Sequence, residues 1–198
     1  MPKLELVKLI SLFTLVANFS LSAVAKEVEN IPEIGRHFTL FTVEKNVNPE
    51  NIIVAYVKLD AGCRIEYVNK NPSYGFYWLM NKSSYKPLHP LILKEVEKRL
   101  SVQVNSPGNQ FDILLTDLTS VRTDIKNPHL TVKSTASGNQ CDATALMQLG
   151  PADNNAVIKL ASIQTETKGF LSPKIMSVTL TGTDVASGKT ISRKYLGK

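Results

Sequence analysis

Apolar side chains fall on alternate residues through most of this chain, and that period confines it to sheet. Successive side chains in a strand point to opposite faces, so a run with every second residue apolar has one face to bury. Lys174–Thr181 places Met176, Val178 and Leu180 inward and Ser177, Thr179 and Thr181 outward. Gln110–Leu118 sets Phe111, Ile113 and Leu115 on one face. In His37–Lys45, Phe38 and Leu40 share one face while Thr39, Phe41 and Val43 share the other. Ile52–Leu59 is apolar on both faces for most of its length, as a central strand is. Arg64–Val68 is a short alternating run, and Gly75–Met80 is aromatic and strand-like. His129–Thr135 and Gln140–Leu149 flank Ala136-Ser137-Gly138-Asn139, a hairpin signal, and Val157–Thr167 and Thr190–Leu196 complete the set. Turn clusters at residues 46–51, 60–62, 69–73, 150–155 and 183–189 separate these runs.

One segment breaks the pattern. Pro90 suits a first helical position, and Leu93, Val96 and Leu100 follow at i, i+3 and i+7, with Lys98 and Arg99 near the C-terminal end of the dipole. The expectation is an all-β fold of about nine strands, a mainly antiparallel β-sandwich or barrel, with one short α-helix near residues 90–100 that plugs an end or face of the sheet.

Residues 1–25 carry a different signal. Lys3 and Lys8 give a basic start, Leu9 to Leu21 is mostly apolar, and Ala23-Val24-Ala25 supplies small residues where a signal peptidase reads. The apolar run is short for a membrane span, and Asn18, Ser20 and Ser22 interrupt it, so a cleaved signal peptide is favoured over an uncleaved anchor. No stable transmembrane anchor is expected. Residues 26–36 read as a polar lead-in, and residues 37–198 as one mostly-β domain, periplasmic or extracellular after cleavage near Ala25.

Apolar residues make up 43% of the chain and charged residues 20%, which excludes disorder, collagen and a multi-span membrane protein. The formal net charge is +6, and cleavage would remove Lys3, Lys8 and Glu5, leaving +5. A modest positive charge favours anionic surfaces, and chiefly serves solubility. No dense Lys/Arg stripe with interleaved aromatics is present, and an exported protein is a poor candidate for nucleic acid.

Two cysteines, Cys63 and Cys141, are too few for a four-cysteine zinc site. In an oxidising compartment one bridge between them is favoured over two buried thiols or a catalytic thiol, since neither lies in a recognisable nucleophile signature. Closing so long a loop stabilises a fold by roughly 4–5 kcal/mol on the chain-entropy description.

Leu40-Phe41-Thr42-Val43-Glu44-Lys45-Asn46, Ile53-Val54-Ala55-Tyr56 and Phe76-Tyr77-Trp78 resemble the opening of a bacterial family, domain of unknown function 4833. Lys174–Leu180, followed by Thr181-Gly182-Thr183-Asp184-Val185-Ala186-Ser187-Gly188-Lys189, is similar to that family's closing hairpin. The resemblance runs from about His37 to Leu196, with residues 101–155 departing most. It implies an exported bacterial protein with one mostly-β domain, and it brings no activity and no catalytic residues.

The chemistry-bearing residues are sparse. His37, His89 and His129 form no HxH or HExxH motif, so no metal and no cofactor is expected. No G-x-S-x-G elbow is present, and Ser187-Gly188-Lys189-Thr190 lacks the earlier glycine of a phosphate loop and reads as a hairpin turn. Glu44, Asp60, Glu66, Asp112 and Asp117 lie on or near strands, where a carboxylate pair would serve glycan hydrolysis. Tyr74, Phe76, Tyr77 and Trp78 form the densest aromatic group, with Phe76 and Trp78 facing one way and Tyr77 the other, and Tyr67 and Tyr85 nearby. Trp78, Tyr77 and Tyr74, with Arg64 and Lys82 to attract an anionic group, are the candidate ligand-binding residues, against the alternative that Phe76 and Trp78 are core.

The expected function is therefore a non-catalytic, exported binding or interaction domain of the bacterial envelope. The expected partner is an envelope component or a small amphiphile held between sheet and helix. The alternatives are an envelope glycan hydrolase using a carboxylate pair, for which Glu66 and Asp112 would be the first acids to test, and a structural partner docking by a sheet edge.

Overall fold

The alternation seen in the sequence becomes thirteen strands in the computed structural model, which describes residues 37–45, 51–80, 84–103, 109–168 and 174–198. The signal peptide and lead-in read in residues 1–36, and Lys82, lie outside the described residues. In chain order come β1 (His37–Lys45), β2 (Asn51–Lys58), β3 (Tyr67–Val68), β4 (Asn71–Pro72), β5 (Tyr74–Met80) and β6 (Ser84–Pro87). Helix α1 (Pro90–Arg99) follows, then β7 (Leu100–Gln103), β8 (Gln110–Leu115), β9 (His129–Ser137), β10 (Gln140–Gln148), β11 (Val157–Lys168), β12 (Lys174–Asp184) and β13 (Thr190–Leu196). The strand count exceeds the expected nine because β3, β4, β6 and β7 are only two to four residues long, too short to show a period. Among the described residues no helix is long and apolar enough to cross a membrane.

Eleven strands form one mixed sheet in the order β6-β5-β2-β1-β11-β10-β9-β8-β7, with β12 and β13 extending from the other edge of β11. The remaining pair, β3 and β4, is a minimal hairpin. Its turn residues Asn69 and Lys70 are both left-handed (φ 51° and 66°), as a type I′ turn requires. Strand β11 divides one edge between two partners. Val157–Lys159 pairs antiparallel with Gln148–Leu146 of β10, and Ser162–Thr165 pairs parallel with Thr42–Lys45 of β1. Two arms therefore leave the same edge of β11, β1-β2-β5-β6 and β10-β9-β8-β7, and they face each other. Tyr74 of β5 meets Phe111 of β8 with ring centroids 5.8 Å apart, and the Tyr67 hydroxyl donates to the Gln110 carbonyl at 3.2 Å. The sheet doubles over without closing into a barrel.

The core lies between the arms. Phe41, Ile53, Ala55 and Val57 come from one arm, and Phe111, Ile113, Leu130, Val132, Ala145 and Met147 from the other, all buried. The disulfide Cys63–Cys141 joins the excursion after β2 to β10, with Cα atoms 5.1 Å apart, so the expected bridge is present. Helix α1 starts at Pro90, where the His89 ring accepts from the Leu91 N–H at 3.3 Å, and Val96 is its buried anchor.

Two sequence expectations are corrected by bulges. Between Thr39 and Phe41 the register of β1 shifts against β2, so Leu40 is an extra residue. Phe38 opposite Val57 and Phe41 opposite Ala55 then share a face, where unbroken alternation would separate them. Met176, expected inward, is 45% exposed, because it is the extra residue where β12 shifts against β11, between the pairs Glu166↔Ser177 and Thr167↔Ile175. Further, β8 stops at Leu115, and Thr116–Ser120 turns into a 3-10 helix that buries Leu118.

Candidate functional site

The aromatic group on β5 divides between the two faces of its arm. Tyr74 packs edge-on to Phe76 at 5.6 Å and meets Phe111, so it belongs to the core. Burial, with the Glu97 carboxylate as a second cause, pushes its phenol up to about 12. On the opposite face, four rings stand in a row across four strands. His37 stacks on Tyr56 at 4.2 Å, Tyr56 on Tyr77 at 4.9 Å, and Tyr85 meets Tyr77 edge-on at 4.9 Å. The faces of these rings are occupied by one another, which leaves Tyr77 only 3% exposed and unable to offer a stacking platform to a ligand. Trp78 is half-buried. Arg64 points into its own turn, where its guanidinium meets Asp60 at 2.9 Å. The backbone N–H of Arg64, then its side chain and the Gly62 N–H, hold the Asp60 carboxyl below the usual range. The structure thus does not gather Trp78, Tyr77, Tyr74 and Arg64 into one cleft. Tyr77 lies on the face opposite Tyr74 and Trp78, and Arg64 already has a partner.

Of the acids considered for hydrolysis, Asp60, Asp112 and Asp117 are engaged in the fold. Asp112 accepts from Thr131 Oγ1 at 2.8 Å, and Asp117 accepts from Thr165 Oγ1 at 3.4 Å and faces Arg99 at 3.5 Å. Glu66 is exposed. A glycosidase acid has its pKa raised. The carboxyls that shift here, Asp60, Glu166 and Asp184, all shift down: Glu166 through Ser177 and Lys194, and Asp184 through Ser187. His89 caps α1, His37 stacks on Tyr56 and His129 begins β9, so the histidines are dispersed. Among the described residues, no three His, Cys, Asp or Glu side chains gather as a metal site.

Sequence reasoning set a ligand between sheet and helix but named none of the residues that line the space under α1. A cavity of about 30 Å³ lies between the helix and the inner face of the sheet. Its walls are Val43, Val96, Leu100, Leu115, Ile163 and Val178 with the buried Thr165, and Glu95, Arg99 and Asp117 stand where it meets the surface. The side chains of Arg99 and Asp117 are 28% and 17% exposed, so this ion pair stands at a mouth with only its edge in water. Thr116 Oγ1 donates to the carbonyls of Lys98 and Arg99, at 3.0 Å each, and ties the last turn of α1 to the 3-10 segment. The N-terminal turn has less holding it: Leu91 is 71% exposed, and Ile92 and Leu93 are half-buried. The sequence signal was the position of Arg99 just after the apolar stripe of α1, but its partner Asp117 sits on a segment that reads as strand.

Two polar grooves flank the loop after β10. One of about 320 Å³ is lined by Asp124, Lys126, Gln148 and Asn155, the other of about 410 Å³ by Asp153, Asn154, Asp184 and Arg193. Arg193 is bonded to Asp153 within the second groove, and Asp124 accepts from the Ala152 N–H at 2.8 Å in the first. Asp124, Asp153 and Arg193 are thereby committed to the loop itself.

No family model, curated protein or solved structure matches this chain. The reading of its function rests on the geometry of its own residues.

Proposed function

We propose that this protein is an exported, non-catalytic binding domain of the bacterial envelope that holds a small amphiphile between α1 and the sheet. The observation that carries the reading is the apolar cavity under α1, with the Arg99–Asp117 pair at its mouth. Apolar walls with a polar rim are the pattern that holds one end of an amphiphile dry and the other wet. At about 30 Å³ the closed cavity has room for the tip of a chain only. Entry of more requires the loosely held N-terminal turn of α1 to lift while Thr116 keeps its last turn in place. The engagement of Asp60, Asp112 and Asp117 in structural contacts supports the non-catalytic part of the reading. Export, and membership of the domain of unknown function 4833 family, rest on the signal-peptide pattern of residues 1–25 and on the strand and turn phrases.

The test is native mass spectrometry with lipid extraction of the purified protein, together with thermal shifts on adding single-chain alcohols and alkyl glycosides. The expected result is a copurified amphiphile or a rise in Tm, reduced at least tenfold in apparent affinity by Val178→Leu, which fills the cavity. A protein that carries no adduct and is shifted by none of these compounds would overturn the reading.

A further inference from the structure

Among the described residues, the doubled-over sheet leaves three terminal strands, β6, β7 and β13, each with one side unpaired within the sheet. Such an edge is a template for another strand, and proteins blunt it with charge, proline or short length. Two of the three carry charge or proline, and the third has short length alone. Strand β6 carries Lys86 and Pro87, and Pro87 has no N–H to offer. Strand β13 carries Arg193 and Lys194, and its end is covered where the Arg122 N–H donates to the Leu196 carbonyl at 2.8 Å. Strand β7, Leu100-Ser101-Val102-Gln103, has neither a charge nor a proline.

Its hydrogen-bond phase can be read from its neighbour. The Leu115 N–H donates to the Pro128 carbonyl at 2.8 Å, away from β7, so the pair Leu100↔Leu115 is not the hydrogen-bonded kind. Alternation then makes Ser101↔Leu114 and Gln103↔Asp112 the bonded pairs and turns the N–H and C=O of Val102 outward from the sheet. A second copy laid antiparallel about a two-fold axis at Val102 would exchange both of these bonds, N–H to C=O in each direction. The same axis sets Ser101 against Gln103 of the partner strand on the exposed face, hydroxyl against amide, and Val102 against Val102 on the other, both favourable cross-strand neighbours. No like charges meet. The equivalent self-pairing of β13 would bring Arg193 and Lys194 of two copies together in a chain whose net charge is already +6.

We infer that β7 is an isologous dimer edge, through which two copies of this chain join their sheets at Val102. The inference does not depend on the ligand reading. Sedimentation analysis of the full chain, from micromolar to millimolar concentration, tests it. A reversible monomer–dimer equilibrium is expected, with Kd raised at least tenfold by Val102→Lys, which places like charges across the axis. Val102→Pro, which removes the outward N–H and takes no bond from β8, is expected to do the same. Amide exchange on the unaltered protein gives a second measure: the Val102 N–H gains protection as concentration rises. A protein that stays monomeric throughout, or a dimer whose Val102 amide exchanges equally fast at high and low concentration, would overturn the inference.

Discussion

The phenol of Tyr56 lies over Gly75 on the neighbouring strand, so close that a β-carbon on that glycine would come within 2.7 Å of the hydroxyl oxygen. The ring has no free direction in which to retreat, because His37 stacks on it at 4.2 Å and Tyr77 at 4.9 Å. Gly75→Ala is therefore expected to destabilise the fold by about 1–3 kcal/mol, as overpacking does. The penalty should largely vanish in a Tyr56→Ala background. Urea denaturation of the single and double variants measures both, and an equal penalty in the two backgrounds would show that the ring is not the obstacle.

The disulfide joins the two arms across a sequence separation of 78 residues. Reduction, or the double change Cys63→Ser with Cys141→Ser, is expected to lower stability by about 2–4 kcal/mol while leaving the strand content in place. The Tm in the presence and absence of a dithiol reductant reads it. Because Cys63 sits at a left-handed φ of 59°, Cys63→Gly with Cys141→Ser should lose less than the double serine variant.

Two tyrosines report on the core from the alkaline side. Burial, then Glu97, pushes Tyr74 up to about 12, and burial, then Asp153 and Asp124, pushes Tyr195 up to about 12. Tyr56 and Tyr77 are raised by burial as well. An unfolded tyrosine ionises near pH 10, so the stability contributed by these neutral phenols is complete below that value and falls as pH climbs toward 12. Titration followed by tyrosinate absorbance should show late-ionising phenols in the native protein, and all six near pH 10 in denaturant. Tyr74→Phe removes one from the late group. Six phenols titrating together in the native state would contradict the packing of Tyr74 against Phe111.

The β class, the helix at residues 90–99 and the pairing of the two cysteines were legible in the sequence, because each depends on a local signal: a period, a cap residue, or the count of one residue type. Leu40 and Met176 show where that stops. An extra residue in β1 reverses the faces around Leu40, and nothing in the text of β1 alone marks it, since a bulge depends on the partner strand. Met176 satisfies the period and is still turned out, because it is itself an extra residue of β12 against β11, which again depends on the partner strand. The candidate site was less legible for the same reason. Tyr77 and Tyr74 are adjacent in text and separated by a sheet in space, while Arg99 and Asp117 meet only because β7 and β8 bring the ends of two elements together.

The parallel pairing of β1 with β11 has a consequence for how the chain is made. Thr42 reaches the Ala161 carbonyl at 3.4 Å across 119 residues of sequence. A ribosome delivers β1 early and the strand that completes its edge near the end, so the nascent amino-terminal half waits with an open flank while more than half of the polypeptide is still unmade. Synthesis truncated before Val157 would yield two hairpin assemblies with no spine to join them, an intermediate with open flanks for strangers to find.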